Sequence, residues 1–196
     1  ELPGFVAMSP VALPRGKIAN WGNSFLPGAY AGSYVNLQKM KPDAILRDLK
    51  NSSLSKPEQR KQANLLAKLN NIHLERLERD QHLESGIQAM EMAFRMQFSV
   101  PDAFDVTKES KATQELYGDS HYGKGCLIAR RLIERGVRVV QLSHSISGYD
   151  IAWDTGHGDI KGGHAALANA SDQGIAALLK DLKARGLLED TLVVWG

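Results

Sequence analysis

The feature that most constrains this chain is an apolar, β-branched run followed at once by a polar loop. Residues 137–142, VRVVQL, have the composition of a strand, and the residues that follow, SHSISGYDIAWDTGHGD, are rich in Gly, Asp and His. In open parallel sheets, ligands bind beyond the carboxyl ends of the strands, where loops carry polar groups that buried strands cannot. The stretch 137–159 therefore predicts the edge of an α/β sheet at which a functional site lies.

Helices are predicted on both sides of this strand, in the order typical of a parallel sheet. One helix covers about Tyr122–Arg135 and another about Gly163–Arg185, and each is followed by a glycine suited to a left-handed terminal residue. A second strand is predicted at Leu192–Trp195. Because parallel strands are joined by right-handed crossovers, we expect an α/β fold in which parallel strands lie between helices in three layers, with a βαβ unit over about 137–196.

The first half of the chain predicts a strand, a long loop and a pair of helices. Gly4–Met8 is an apolar run that suits a strand, whereas Ser9–Asn36 is rich in Gly, Pro and Asn and has no period, which predicts a loop. Amphipathic stripes predict an antiparallel helical pair over about 57–100, and Ala112–Tyr117 predicts one or two helical turns. Four aromatic residues of the loop either line a pocket mouth or pack onto the core, and we favour packing. They are Trp21, Phe25, Tyr30 and Tyr34.

The composition argues against several classes of protein. The chain has 196 residues, with 24 Lys and Arg against 22 Asp and Glu, and the charges are scattered rather than gathered into the basic stripe that nucleic-acid binding needs. The single cysteine, Cys126, can form no internal disulfide and suits a buried position. No apolar run approaches the roughly 20 residues of a membrane span. Because the chain begins without Met and ends after a strand-like run, we expect a fragment, 1–196, of one larger domain.

The loop after the strand concentrates oxygen and nitrogen donors. Asp154 and His157 are close enough in sequence to converge on one divalent cation, since carboxylate oxygen and imidazole nitrogen are both zinc ligands. Such a cation could polarise an ester oxygen and hold an attacking group. His144, Asp159 and His164 are candidates for further ligands, for a proton donor or for hydrogen-bond partners of the ligands. The alternative is that Asp, Thr and Gly only form a turn here, because all three are common in turns.

Other charged residues have simpler interpretations. The Arg130–Arg131 pair either faces an anion or lies on the polar side of its helix, and we favour the polar side. Asp172 lies inside a predicted helix, where a surface position is the default. The sequence contains no GxSxG, Gly-rich phosphate loop, HExxH or CxxC motif, which argues against serine hydrolases, P-loop proteins and zincins.

Several blocks of the chain, taken in order, resemble a known family. ELPGFVAMSP, NWGNSFLPGAYAGS, AFRMQFSVPDAFDVTKES, ATQELYG, LIARRLIERGVRVVQL and WDTGHGDI are similar to the sulfatase-like family catalogued as domain of unknown function 1501. The run SDQGIAALLKDLKARGLLEDTLVVWG resembles the segment of the alkaline phosphatase and sulfatase superfamily in which a helix precedes a strand that delivers an acidic metal ligand. The resemblance covers nearly the whole chain.

The resemblance implies an alkaline phosphatase-like fold and a metal-dependent hydrolase acting on sulfate or phosphate esters of small molecules or glycans. Asp154 and His157 match the family's Trp-Asp-x-His block and would bind one divalent metal, zinc, calcium or manganese, although two residues separate them where the family usually has one. The nucleophile and the other ligands would lie outside this chain, and export to the periplasm or extracellular space is implied. The alternatives are a non-catalytic binding or surface protein and a helical interaction module centred on 57–100.

Overall fold

The computed structural model describes the chain in separate stretches of residues. They are 2–9, 17–26, 30–37, 54–55, 57–58, 60–62, 64–65, 68–69, 72, 102–144, 153 and 160–196. The second helix of the predicted pair, which falls within 73–101, lies outside them. Most of the predicted loop, 145–152 and 154–159, also lies outside them.

Three parallel strands form the sheet of the described structure. β1 (Phe5–Ser9) lies between β2 (Ser33–Asn36) and β3 (Val139–Leu142), so the strand order is β2-β1-β3. Both pairings of β1 are parallel. The predicted mixed α/β class with a parallel sheet is therefore confirmed, as are the strands predicted near residue 5 and after residue 136.

Three helices are described in the second half of the chain, and one of them packs against the sheet. They are α1 (Lys111–Tyr117), α2 (His121–Glu134) and α3 (Ile160–Ala184), close to the predicted bounds. The hydroxyls of Ser110 and Ser120 accept hydrogen bonds from backbone N–H groups in the first turns of α1 and α2, which caps both helices. Among the described residues, no helix combines the length and the apolar character needed to cross a membrane.

The glycines after α2 and α3 end these helices as predicted. Gly136 has a φ of 84° and Gly186 a φ of 69°, in the left-handed region that residues with a Cβ rarely adopt. The N–H of Gly136 donates to the carbonyl of Ile133 at 2.9 Å, and that of Gly186 to the carbonyl of Lys183 at 3.1 Å. The N–H of each glycine thus hydrogen-bonds to a carbonyl of the last helical turn, and the helix ends there.

The helix predicted near Pro57 is confirmed in its described residues. Residues 57, 58, 60–62, 64, 65, 68, 69 and 72 are helical, and a capping box precedes them, in which the N–H of Ser55 donates to Glu58 Oε2 at 2.8 Å. The predicted stripe residues Leu65, Leu69 and Ile72 are exposed by 58, 53 and 48%. These three side chains therefore do not contribute to the buried core.

The core has two parts that share α2. One part lies between the sheet and α2, and the other between α2 and its neighbours α1 and α3. The first contains Val6, Met8, Val35, Leu37, Ala103, Phe104, Ile128, Ala129, Leu132 and Val137. The second contains Tyr117, Tyr122, Cys126, Leu127 and Ala177. Burying each large apolar side chain contributes roughly 1.5–3 kcal/mol, so α2 is the element on which folding most depends.

The structure corrects the predicted strands at two places. β2 lies inside the predicted loop Ser9–Asn36, and its four residues SYVN contain one buried apolar side chain, Val35, too few to reveal a period of two. Leu192–Trp195, predicted as a strand, forms neither strand nor helix, and its first residue is 87% exposed. Apolar composition alone does not make a strand, because a strand also needs a hydrogen-bonding neighbour.

Candidate functional site

The described part of the candidate site lies at the carboxyl edge of the sheet. Because the strands are parallel, β1 and β3 end at the same edge, where Met8 is paired with Leu142. The N–H of Ser143 still donates to the carbonyl of Met8 at 2.9 Å, so the chain is held to β1 as it leaves the sheet. His144 follows directly. The predicted polar loop therefore starts at the edge where ligands bind in open parallel sheets.

His144 lies partly buried among aromatic rings. Its ring meets that of Tyr122 edge-on, with centroids 4.5 Å apart, and lies 5.8 Å from the ring of Trp153. Burial lowers the pKa of His144 below its ordinary value of 6.5, because a charged imidazolium is poorly solvated there. Within the described residues, its buried Nδ1 has no hydrogen-bond partner. A neutral imidazole in this state can bind a cation or accept a proton.

Trp153 connects three parts of the chain at this edge. Its ring lies 5.8 Å from His144 after β3, 6.0 Å from His164 on α3 and 5.6 Å from Trp195 after α3. In addition, Nε2 of His164 hydrogen-bonds to the carbonyl oxygen of Trp153. Trp153 immediately precedes Asp154 in the sequence. The residue before the predicted ligand is therefore held by both its ring and its backbone.

The predicted site residues divide into two groups. The structure brings His144 and His164 together around Trp153. Asp154, His157 and Asp159 lie outside the described residues, so their convergence on a cation stays a prediction. Within the stretches that the structure describes, no group of three His, Cys, Asp or Glu side chains could hold a metal ion.

Arg130 and Arg131 do not lie on a polar helix face, so that prediction was wrong. Arg130 and Arg131 are only 1% and 4% exposed, and they lie near the C-terminal end of α2. Arg131 Nε donates to the carbonyl of Ala103 at 2.9 Å and its Nη2 to that of Asp102 at 2.7 Å. Arg131 also pairs with Glu109. These partners anchor the segment before α1 to α2.

Arg130 is surrounded by three carboxylates from three parts of the chain. It lies 2.9 Å from Glu109, 2.6 Å from Glu134 and 3.0 Å from Asp181. Arg185, directly after α3, bonds to Glu134 at 2.8 Å and to Asp181 at 2.7 Å. We call this set, with Arg131, the arginine cluster. Because its guanidinium groups face the chain's own carboxylates, the cluster binds helices together rather than an external anion.

The electrostatics of the arginine cluster favour the charged form of its carboxyl group Glu109. Burial would raise the pKa of the Glu109 carboxyl, but hydrogen bonds from Arg130 and Arg131 lower it below its usual value. Tyr117 donates to Asp181 at 3.0 Å, and burial together with the charge of Asp181 raises the pKa of this phenol. The sequence contains one signal of this cluster: Arg130 and Glu134, and likewise Asp181 and Arg185, are four residues apart, which is the spacing of ion pairs along a helix.

Cys126 and Asp172 occupy the positions predicted for them. Cys126 is 1% exposed, and burial raises the pKa of its thiol to about 12, so it is protonated at neutral pH and unsuited to act as a nucleophile. Tyr122 beside it has its pKa raised to about 12, by burial and by Cys126. Asp172 is exposed on α3 and is not part of the core.

The four aromatic residues of the first predicted loop differ in how far their side chains are buried. The rings of Trp21 and Tyr34 stack with centroids 4.7 Å apart and an interplanar angle of 9°, and Trp21 is 4% exposed. The predicted packing is confirmed for this pair. Phe25 and Tyr30, in contrast, are 92% and 63% exposed.

Comparison with known proteins gives one match. The model of a family described as "Protein of unknown function (DUF1501)" matches residues 1–196. No curated protein and no solved structure matches the chain.

Proposed function

We propose that this chain, which belongs to the DUF1501 family of proteins of unknown function, is part of a metal-dependent hydrolase-like protein acting on sulfate or phosphate esters. The resemblance of its sequence blocks to the sulfatase and alkaline phosphatase superfamily supports an alkaline phosphatase-like arrangement within the α/β class. The same resemblance supports export to the periplasm or extracellular space. Small-molecule or glycan esters are the proposed substrates.

One observation carries the proposal. Trp153, the residue before Asp154, lies against His144 at the carboxyl edge of the parallel sheet and is hydrogen-bonded to His164 at the start of α3. Asp154 follows Trp153 in the sequence, and ligands of open parallel sheets bind at this edge. Asp154 and His157 are therefore the residues that we propose as ligands of a divalent cation.

The donors near this edge suit such a cation. The buried Nδ1 of His144, which has no partner among the described residues, is a nitrogen of the kind that zinc binds when neutral, and burial favours that neutral form. Asp154 would add a carboxylate and His157 a second imidazole. A bound zinc, calcium or manganese ion would polarise an ester oxygen. If it does not bind the cation, neutral His144 would act as a general base that accepts a proton from the water attacking the bound ester.

The experiment is a turnover screen of the full-length protein. Aryl sulfates and aryl phosphates are offered after chelation, with zinc, calcium or manganese added back singly, and Asp154→Asn is assayed beside the wild type. We expect one ester class to be cleaved by the metal-restored wild type and not by Asp154→Asn. The exposed Asp172→Asn variant is the control and should retain the wild-type rate. Equal turnover by wild type and Asp154→Asn would contradict the role of Asp154 as a ligand, and no turnover of either ester class would favour a non-catalytic binding protein.

A further inference from the structure

The segment between β1 and β2 presents two adjacent apolar side chains to solvent. Phe25 is 92% exposed, more than any other large apolar side chain in the described part of the chain, and Leu26 beside it is 47% exposed. We call these two residues the loop tip. A single exposed apolar residue needs no explanation, but neighbouring ones mark sites of contact with proteins or membranes. The loop tip is therefore a candidate contact surface.

The base of this loop is closed and anchored on the sheet. The N–H of Gly32 donates to the carbonyl of Trp21 at 2.8 Å, and the buried ring of Trp21 stacks on that of Tyr34 in β2. A Cβ at Gly32 would lie 2.9 Å from the ring of Phe5 and from the Cβ of Trp21, so the backbone packs tightly there. The segment between Trp21 and Gly32 thus leaves the sheet and returns to the same place.

The loop tip is part of a hydrogen-bonded turn. The N–H of Leu26 donates to the carbonyl of Asn23 at 2.8 Å, and the side-chain amide of Asn23 donates to the carbonyl of Leu26. Ser24 has a φ of 51°, in the left-handed region that residues with a Cβ rarely adopt. Such backbone conformations persist where the surrounding structure fixes them. A defined turn therefore presents Phe25 to solvent.

The sequence around the loop tip carries positive charge only. Residues 2–42 contain four basic residues and no Asp or Glu, although the whole chain has 22 acidic residues. The four are Arg15, Lys17, Lys39 and Lys41. Lys17 begins the 3₁₀ turn Lys17–Asn20, which leads directly into Trp21 at the base of the loop. Lys and Arg close to an anionic lipid surface are attracted to it, so this part of the chain favours anionic lipid.

We propose that the loop tip inserts into the surface of an anionic lipid bilayer, which buries Phe25 and Leu26 among the lipids. A protein partner would have to offer a pocket of matching shape, whereas lipids rearrange around a protruding side chain. Tyr30, which is 63% exposed in the same loop, has the apolar ring and polar hydroxyl that suit a membrane interface. The inference is independent of the proposed hydrolase function.

The test is co-sedimentation of the full-length protein with lipid vesicles, and circular dichroism establishes that each variant is folded. One set of vesicles contains phosphatidylcholine alone, and the other contains equal parts of phosphatidylcholine and phosphatidylglycerol. We expect the wild type to bind the mixed vesicles, and Phe25→Ser to bind them roughly tenfold more weakly because the burial of one phenylalanine is lost. Leu192→Ser, at a position 87% exposed outside the loop, is the matched control and should bind like the wild type.

The charge requirement is tested with the same samples. Binding of the wild type to the mixed vesicles should weaken at high salt, because salt screens the attraction between basic residues and anionic lipid. Equal binding of the wild type to both kinds of vesicle, or equal binding by Phe25→Ser and the wild type, would overturn the proposal. A loss in Leu192→Ser as large as in Phe25→Ser would overturn it too. If the wild type binds neither vesicle, insertion into lipid is wrong, and a protein partner becomes the occupant to seek.

Discussion

Arg130 on α2 and Asp181 on α3 form a buried ion pair, with Nε and Oδ2 3.0 Å apart. Asp181 also accepts the hydroxyl of Tyr117, so one carboxylate connects α1, α2 and α3. α2 packs against the sheet, and α1 and α3 pack against α2. The stability of this helical layer therefore depends on a charge cluster as well as on apolar packing.

Removing the cation of this pair is expected to destabilise the protein strongly. Arg130→Met leaves the carboxylates of Glu109 and Asp181, 13% and 11% exposed, without their central partner. Breaking a buried pair from one side typically costs about 3–5 kcal/mol. Urea unfolding followed by circular dichroism should show this loss, whereas Lys180→Met on the exposed face of α3 should change stability by less than about 0.5 kcal/mol. A similar value for the two variants would show that the cluster adds little.

The close crossing of α2 and α3 is expected to depend on Gly174. A Cβ at this position would lie 3.0 Å from the Cα of Gly123 and 3.3 Å from the sulfur of Cys126, so a larger side chain must push the helices apart. We expect Gly174→Leu to cost about 1–3 kcal/mol in the free energy of unfolding. Ala168→Leu, at an exposed position of the same helix, should change the free energy of unfolding by less than about 0.5 kcal/mol. A neutral Gly174→Leu would contradict the close packing.

His144 is expected to make stability depend on pH. Its pKa in the folded protein is below the ordinary 6.5, so as the pH falls below about 6.5 the unfolded chain binds a proton that the folded chain does not. Stability should therefore decrease from pH 6.5 downwards until the pH reaches the folded pKa. His144→Phe, which cannot titrate, should show a smaller decrease between pH 7.5 and 5.5 in urea unfolding. Equal pH profiles for the two proteins would mean that burial does not affect this imidazole.

The sequence predicts those elements whose own residues show the apolar spacing and the terminal residue typical of a helix or strand. Cys126, Ala129 and Leu132 recur at helical spacing, and a glycine follows the helix, so α2 was found with nearly its observed bounds. β2 was missed, because its four residues become a strand only through pairing with β1. Leu192–Trp195 shows the converse, since its strand-like composition has no paired neighbour in the described structure.

The position of the sheet edge was predictable from the sequence, but the side-chain contacts at this edge were not. The run before residue 143 and the polar residues after it indicated the sheet edge, and the structure places His144 there. Nothing in the sequence indicated that Trp153 contacts both His144 and His164, because those contacts join residues brought together by the fold. The burial of Arg130 was hidden for the same reason: two of its three carboxylates are distant in sequence.

The proposed function depends most on the binding of one divalent cation by Asp154 and His157 at the edge of the sheet. Equilibrium dialysis of the full-length wild type, Asp154→Asn and His157→Gln against Zn²⁺ and Mn²⁺ tests it directly. We predict that the wild type binds one of these cations and that each substitution lowers the affinity. Loss of a ligand should lower the affinity at least as much as loss of a hydrogen-bond partner of a ligand, which typically lowers it roughly 10–100-fold. Unchanged affinity in both variants, or no binding by the wild type, would contradict the claim.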